Sequence, residues 1–473
     1  MILIIFHFLG LYVLYTIYVN QLYIENVIYI IRLILFYNNG EELFMNICEN
    51  IYRDLFIGVD NPVILSSGNL AMPIGFDNGA TTPSFKSSYR VLSKGLESYG
   101  AVARGTGQKS EITTQNYEDT RKIILNFLGI GNDSKYTAVF GKTTTECINL
   151  LANILIKDKN DKILTTRMEH HANDLPWRYS ATVEYIEVDK MGRISIDSIE
   201  NKLRENCGEI KYVTVTGASN VTGYINPIHE IAKICHKYNA KIIVDAAQLI
   251  AHKEINMKGK GSGEEIDFLV FSSHKAYAPY GIGVIVGLVD ELSNVTPFLK
   301  GGACVKAVTD NDVIWDDPPA LHEAGSPNSL GAIATGRALQ QLKKIGFDNI
   351  YKHEMMLKEF IISEMKKIDK VILYGDNNNI DDRLGIIVFN IDGEDYRTIG
   401  KRYADEMAIA LRIGKFCAHP YVNRLMGVSD KTACYNAYNK PTNGMIRLSL
   451  GLYNTMEEAR AFIAYTKYLI STL

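Results

Sequence analysis

The chain has 473 residues, 47% of them apolar and 22% charged, with a formal net charge of −3. That balance belongs to a globular protein long enough for two or three domains and excludes a disordered chain. With no basic stripe it carries no electrostatic footprint for nucleic acid. Cys48, Cys147, Cys207, Cys235, Cys304, Cys417 and Cys434 are scattered, without the pair spacing of a zinc ligand set or a disulfide framework. No metal is expected, and the expected compartment is the reducing cytoplasm.

Residues 1–38 are almost continuously apolar, with His7, Glu25 and Arg32 alone able to carry charge at neutral pH. The run is long enough to cross a bilayer but lacks the basic start of a secretory signal. Gly40-Glu41-Glu42 requires purine-rich codons and stands just ahead of Met45, where a bacterial ribosome-binding site would fall. Residues 1–44 are therefore read either as a membrane anchor or as sequence upstream of a start at Met45. Residues 45–75 form an N-terminal segment. A membrane is expected as a partner only if residues 1–38 belong to the natural protein.

From Phe76 onward, helix-like and strand-like segments alternate. Helical patterning covers 86–98 and 113–128. A strand over 136–140 runs into Lys142-Thr143-Thr144-Thr145-Glu146 and a helix over 145–155. Such a junction offers hydroxyls and unpaired backbone N–H groups to a phosphate, although a threonine run also serves simply as an N-cap. Strands follow over 162–166 and 183–188, with Met168-Glu169-His170-His171 between them. A histidine ring there suits stacking on a planar group or proton transfer; alone, a His pair is more often a solvated loop. The strand over 212–216 leads to Ser219-Asn220 and a helix over 227–238. The strand over 241–244 ends in Asp245-Ala246-Ala247-Gln248. The apolar run 266–271 ends in Ser272-Ser273-His274-Lys275, and a strand over 283–287 follows. This rhythm predicts an α/β fold with a mostly parallel sheet flanked by helices.

Lys275 and Asp245 carry the strongest chemical signal. Ligands of open α/β sheets bind at the carboxyl ends of strands. A lysine there can form a Schiff base with an aldehyde. An aspartate there can keep a pyridine nitrogen protonated, so that the ring draws electrons from an attached carbon. Together they meet the requirements of pyridoxal 5'-phosphate. Asn220 and Gln248 are candidates to hydrogen-bond its phenolic oxygen.

Beyond Gly301-Gly302 the texture changes. Residues 310–327, rich in Asp, Pro and Gly, read as a long irregular connection. Helices are expected over 330–345 and 349–367, strands over 384–391 and 445–450, and a last helix over 455–470. The expected division is a large cofactor-binding domain over 76–309 and a smaller C-terminal α+β domain, with its connecting segment, over 310–473.

The motifs form one ordered set: Asp77-Asn78-Gly79-Ala80-Thr81-Thr82-Pro83, Thr144-Thr145-Glu146, Glu169-His170-His171, Ser219-Asn220-Val221-Thr222-Gly223, Asp245-Ala246-Ala247-Gln248, Ser272-Ser273-His274-Lys275 and Glu323-Ala324-Gly325-Ser326. Arg412-Ile413-Gly414-Lys415-Phe416-Cys417-Ala418-His419-Pro420 and Arg447-Leu448-Ser449 complete it. This set resembles the class V aminotransferase family of fold type I pyridoxal-phosphate enzymes, and within it the cysteine desulfurase and selenocysteine lyase group, Suf type. The resemblance implies that Lys275 binds pyridoxal 5'-phosphate covalently and Asp245 pairs with its pyridine nitrogen. Gln248 would reach the phenolic oxygen and His170 would stack on the ring. Thr144, Thr145, Ser272 and His274 would hold the phosphate. A homodimer with shared active sites is implied, with Ser326 reaching the phosphate of the neighbouring subunit's site.

L-cysteine is the implied substrate. Arg447 would clamp its carboxylate through a two-pronged pair, as guanidinium geometry allows, while Asn220 and Arg412 line the site. Lys275 and His170 would serve in proton transfer. Cys417 would take the substrate sulfur, leaving alanine and a persulfide that passes to an acceptor protein. Lys415, His419 and Arg412 are cations that would favour its thiolate.

Some positions depart from the family pattern. Many members have histidine where Ala103 and Gly107 stand, and often histidine where Phe416 stands; residues 429–443 read as an insertion. Two other readings accompany the desulfurase. One is another class V enzyme, an aminotransferase or a lyase for selenocysteine or another amino acid, with Cys417 incidental. The other is a membrane-tethered scaffold on an inactive fold of this kind, supported by residues 1–38 alone.

Overall fold

The computed structural model describes residues 50–103, 105–439 and 443–473. The apolar leader, residues 1–44, lies outside the described residues. Among them no helix is long and apolar enough to cross a membrane.

Seven strands form the central sheet: β1 (Tyr136–Gly141), β2 (Lys162–Thr166), β3 (Thr182–Ile186), β4 (Ile210–Thr216), β5 (Lys241–Asp245), β6 (Phe268–Ser272) and β7 (Gly283–Leu288). Their spatial order is β1-β7-β6-β5-β4-β2-β3. β3, β2, β4, β5 and β6 pair in parallel, while β7 runs antiparallel to both β6 and β1. The sheet is mostly parallel, as the β-α-β rhythm requires, and the last strand is the exception.

Burial on both faces explains why these strands read as unbroken apolar runs. Successive residues of a strand point to opposite faces. Ile242, Val244, Leu269, Phe271, Val284 and Val286 accordingly enter one buried cluster, with Ile231 and Ala232 of the helix Ile228–Lys237. Their alternates Ile243, Phe268, Val270 and Ile285 enter the other, with Ile148 and Leu151 of the helix Thr144–Leu155.

A second, four-stranded sheet is wholly antiparallel, in the order Val371–Leu373, Ile386–Ile391, Met445–Ser449 and Arg412–Gly414. In its register Arg447 stands directly across from Arg412 on one side and Val388 on the other. The chain divides into a main compact unit, Asn50–Met456, and a second unit that includes Glu457–Leu473. The described part of the latter belongs to the closing helix, Met456–Ser471.

Several elements differ from the sequence expectation. The helix expected from 113 begins at Gln108, because its buried face carries Ser110, Thr113, Thr120 and Arg121 and so hides the apolar period. The connection read as irregular is preceded and entered by a hairpin, Val305–Val308 with Val313–Trp315, too short to show an alternation. Helices Leu175–Ser180, Ile196–Glu205, Tyr396–Met407 and His419–Leu425 have no counterpart in the sequence expectation. The insertion carries a helix of its own, Asp430–Asn439.

Candidate active site at the carboxyl ends of the strands

β1, β2, β4, β5 and β6 all end at the same edge of the sheet, where their loops converge. Lys275 closes a single 3-10 turn, Ser273–Lys275, that starts where β6 stops. Burial lowers its amine to about 8; Asp245 opposes that shift, Arg447 adds to it and Cys417 opposes it. Only the neutral amine attacks an aldehyde, and the lowered value makes that form far more abundant near neutral pH than in an ordinary lysine.

Asp245 is the last residue of β5 and is 3% exposed. Burial raises its pKa, while the Ala247 N–H, donated to Oδ1 at 2.9 Å, and the charge of Lys275 pull it back. A protonated pyridine nitrogen against this carboxyl would supply the counter-charge that its burial leaves wanting. Gln248 donates Nε2 to the Gly79 carbonyl at 2.7 Å.

The helix Thr144–Leu155 points its N-terminus at the same edge. Thr143 caps it, accepting the Glu146 N–H on Oγ1 at 3.2 Å. The Ser272 hydroxyl accepts the Thr144 N–H at 2.7 Å and lies 2.7 Å from the Thr144 hydroxyl, which ties the end of β6 to the helix start. Thr145 is exposed and its side chain has no hydrogen-bond partner among the described residues. β7 passes so close beneath that a Cβ on Gly283 would sit 2.4 Å from the Thr143 carbonyl. Only glycine gives that approach. The His274 ring lies 3.3 Å from the Thr81 hydroxyl, and burial followed by the charge of Lys275 lowers it to about 4.

His170 lies on the loop after β2. Its Nδ1 accepts the Ala172 N–H at 3.0 Å, so the neutral ring carries its proton on Nε2. Burial, then Lys275, His171 and Arg447, lower it to about 3, which keeps the ring neutral. Glu169 beside it is held by the Thr166 hydroxyl and the Asn173 amide, each at 2.6 Å, and burial raises it to about 8. Asn173 is fixed in turn by the Thr214 hydroxyl at 2.7 Å. These buried bonds set the loop that presents His170.

The second sheet supplies the remaining groups. Arg447, 2% exposed, donates Nη1 to the Asn220 carbonyl at 2.9 Å and Nη2 to Asp77 at 3.1 Å. Its Nε has no partner among the described residues, a buried donor that a substrate carboxylate would satisfy. Asp77 also pairs with Arg412 at 2.7 Å. The sequence reading assigns Asp77 no role; the only signal is its place in a motif, since its partners lie 335 and 370 residues away.

Cys417 is exposed and lies between Arg412–Gly414 and the helix His419–Leu425. Phe416 and Cys417 both have left-handed backbone, φ 51° and 53°. Asn220 donates Nδ2 to the Phe416 carbonyl at 2.7 Å, and the His171 N–H donates to the Cys417 carbonyl at 2.6 Å. The charge of Cys417 acts on both Lys275 and Arg447, so the thiol shares their electrostatic neighbourhood. Of the flanking cations, His419 is lowered by burial, His171 and Lys415, and Arg412 is engaged with Asp77.

The last expected site residue lies on a loop that follows the large sheet. Ser326 is exposed, on the loop before the helix Ser329–Ile345, and its side chain makes no hydrogen bond among the described residues. Its loop is anchored by Glu323, whose Oε1 accepts the Phe140 N–H at 2.7 Å and pairs with Arg121 at 2.8 Å. The donor set fits pyridoxal phosphate. It offers an amine half neutral near pH 8, a buried acid in want of a counter-charge, and a helix N-terminus beside an unengaged threonine hydroxyl.

Known proteins are similar to this chain in sequence and fold. The aminotransferase class-V family model matches residues 74–462. A curated relative from Escherichia coli O8 (strain IAI1), a cysteine desulfurase, is 33% identical over 369 residues, which cover 76% of this chain and 84% of the relative. The same identity and coverage hold for a cysteine desulfurase of Shigella sonnei (strain Ss046). The apo structure of a cysteine desulfurase from Thermococcus onnurineus NA1 superposes with a TM-score of 0.75 at 31% identity, over 85% of this chain and 95% of that one. The cysteine desulfurase CsdA of Escherichia coli, in an S-sulfonic acid form, has the same fold, with a TM-score of 0.75 at 23% identity over 89% of this chain and 98% of that one.

Proposed function

The chain belongs to the aminotransferase class-V family, and from that premise we propose that it is a pyridoxal-phosphate-dependent cysteine desulfurase. The observation that carries this reading is the pairing of two reactive groups in one field. An amine lowered to about 8 beside a strand-end aspartate shares that field with an exposed cysteine.

When bound, pyridoxal phosphate supplies an electron sink conjugated to the α-carbon of the substrate. This chain's residues would do the rest. Lys275 would hold the cofactor and, once released, carry the α-proton. Asp245 would keep the pyridine nitrogen protonated, and the neutral His170 ring would cover the cofactor face. Thr144, Thr145, Ser272 and His274 would hold the phosphate, and Gln248 and Asn220 the phenolic oxygen. Arg447, with Arg412 and Asn220 beside it, would orient the carboxylate of L-cysteine.

The Cys417 thiolate would then attack the substrate sulfur. A sulfur–sulfur bond forms and the carbon–sulfur bond breaks. Its electron pair stays on carbon, which takes a proton to become the methyl group of alanine. Cys417 is left as a persulfide on an exposed loop, accessible to a sulfur-acceptor protein. In this reading the enzyme is a cytoplasmic homodimer. Ser326, exposed on its loop, would serve the phosphate of the other subunit's site.

The test is to incubate the purified enzyme with L-cysteine and a reductant. Alanine and sulfide are expected in equal amounts. Cys417→Ser should keep the yellow absorbance of the bound cofactor and release neither product. If Cys417→Ser turns over as the parent does, the thiol is incidental and the enzyme is a different member of its family.

A further inference from the structure

Cys417 is exposed, yet the residues on either side of it are buried. Phe416 and Ala418 enter one apolar cluster with Val221, Val422 and Tyr421, the last on the helix His419–Leu425 that begins two residues after the thiol. Tyr421 is wholly buried, so the polar end of its ring needs partners. The hydroxyl donates to the Gly192 carbonyl at 2.7 Å. Its one proton is engaged there, so the Thr222 hydroxyl, 2.9 Å away, donates to it. A Cβ on Gly192 would come within 2.5 Å of the same oxygen.

Thr222 belongs to a short segment after β4 that also holds two other groups. Asn220 donates Nδ2 to the Phe416 carbonyl at 2.7 Å, just ahead of Cys417, and its own carbonyl accepts Nη1 of Arg447 at 2.9 Å. The segment is braced from within and from behind. The Ser219 hydroxyl accepts the N–H groups of Val221 and Thr222 at 3.1 and 3.2 Å, and the buried Arg383 donates Nε to the Thr222 carbonyl at 2.8 Å. Residues 220–222 thus orient Arg447 and grip the thiol loop on both sides, Asn220 before it and Thr222 after it. We infer that Tyr421 is a positioning residue for sulfur transfer: its hydroxyl, through Thr222, fixes the far side of the Cys417 loop relative to a substrate held by Arg447. This rests on the proposed roles of Cys417 as nucleophile and Arg447 as carboxylate clamp. A thiol has to meet the substrate sulfur in line with the bond to be broken, and a misplacement of about 1 Å can cost about 10²-fold.

The experiment separates the thiol from the rest of the site in the holoenzyme. L-alanine has no sulfur to give up, so it reports the cofactor, Lys275 and the clamp alone. Its affinity is read from the change in cofactor absorbance, and exchange of its α-proton with deuterated solvent from proton NMR. Alanine formed from L-cysteine in a single turnover without reductant, with the persulfide on Cys417 measured by mass spectrometry, reports the thiol. Tyr421→Phe keeps the ring and removes the hydroxyl. It should slow that turnover at least about tenfold, while L-alanine affinity and exchange stay within about twofold of the parent. Thr222→Val breaks the same bond from its other end and should slow the same step. In the double variant the two losses should not multiply.

A single turnover at the parental rate in Tyr421→Phe overturns the inference. So does a loss of L-alanine affinity or exchange as large as the loss of sulfur transfer, which is what a residue that only supports the fold would give. Losses that multiply in the double variant overturn it as well. Should Tyr421→Phe not fold, Thr222→Val decides alone by the same comparison of thiol step against exchange. The two readings fail distinguishably. A parent that forms no alanine from cysteine removes the desulfurase, and the positioning role with it. A parent that does, beside a Tyr421→Phe that matches it, removes only the positioning role.

Discussion

Lys275 and Cys417 act on one substrate in the proposed reaction, yet the chain delivers them differently. Lys275 leaves a central strand by a single 3-10 turn, and its neighbour Ser272 is bonded to the start of the opposing helix. Its position is set by the buried core of the sheet. Cys417 lies on a loop with two consecutive left-handed non-glycine residues, exposed, and tied down through the carbonyls of Phe416 and Cys417. A residue that binds a cofactor must stay put. A thiol that reaches a substrate and then an outside partner has to remain at the surface. The same edge of the molecule thus offers a rigid half and an adjustable half.

The comparison breaks most sharply by exchanging which half is lost. Lys275→Ala should abolish turnover, by about 10³-fold or more, together with the cofactor's absorbance. Cys417→Ala should abolish sulfide release just as fully while the absorbance and the melting temperature stay at parental values. If the absorbance is lost in both variants, the two halves are not separable.

Gly283→Ala probes the rigid half away from its reactive groups. The added methyl would press on the Thr143 carbonyl at 2.4 Å and should destabilise the fold by about 1–3 kcal/mol, read by chemical denaturation, and weaken phosphate binding with it. The adjustable half has a milder counterpart. The His171 ring accepts the His419 N–H at 3.2 Å through Nε2. His171→Ala removes that tie, worth about 1 kcal/mol, and should slow sulfide release about fivefold without moving the cofactor spectrum.

The remaining effect is one of pH. The Lys275 amine is protonated below about 8, so capture of added pyridoxal phosphate by the cofactor-free protein should slow about tenfold for each unit below that value. The unfolded chain holds that proton up to the ordinary lysine pKa of about 10.4. Stability should therefore rise with pH between about 8 and that value. Stopped-flow absorbance and denaturation midpoints across that range check both.

The two halves also differ in how far they could be read from sequence. Asp245 stands out as the first polar residue after an apolar run, and Lys275 as the last of the short polar stretch that follows one, and a strand end is a local event. Thr144 and Ser272 stand out for the same reason, although their bond to each other does not. The Arg412–Asp77–Arg447 cluster is invisible locally. Its members come from strand pairings across 335 and 370 residues, and no periodicity announces such a meeting. The antiparallel β7 is equally mute, since Gly283–Leu288 reads like any buried strand whichever way it runs. Helix His419–Leu425 opens with Pro420 in its first turn, a start signal that seven residues of length are too few to confirm.

The interleaving of the two cores within single strands has a further consequence. Ile242 and Val244 belong to one core and Ile243 to the other, and Asp245 follows in the same alternation. Deleting one codon anywhere in that triplet would transpose the rest of the strand between the cores. The acid would then be carried round to the opposite side of the sheet. Frameshift-free single-codon losses, often tolerated in surface loops, should here be lethal to the chemistry even where the remaining side chains are all hydrophobic enough to pack.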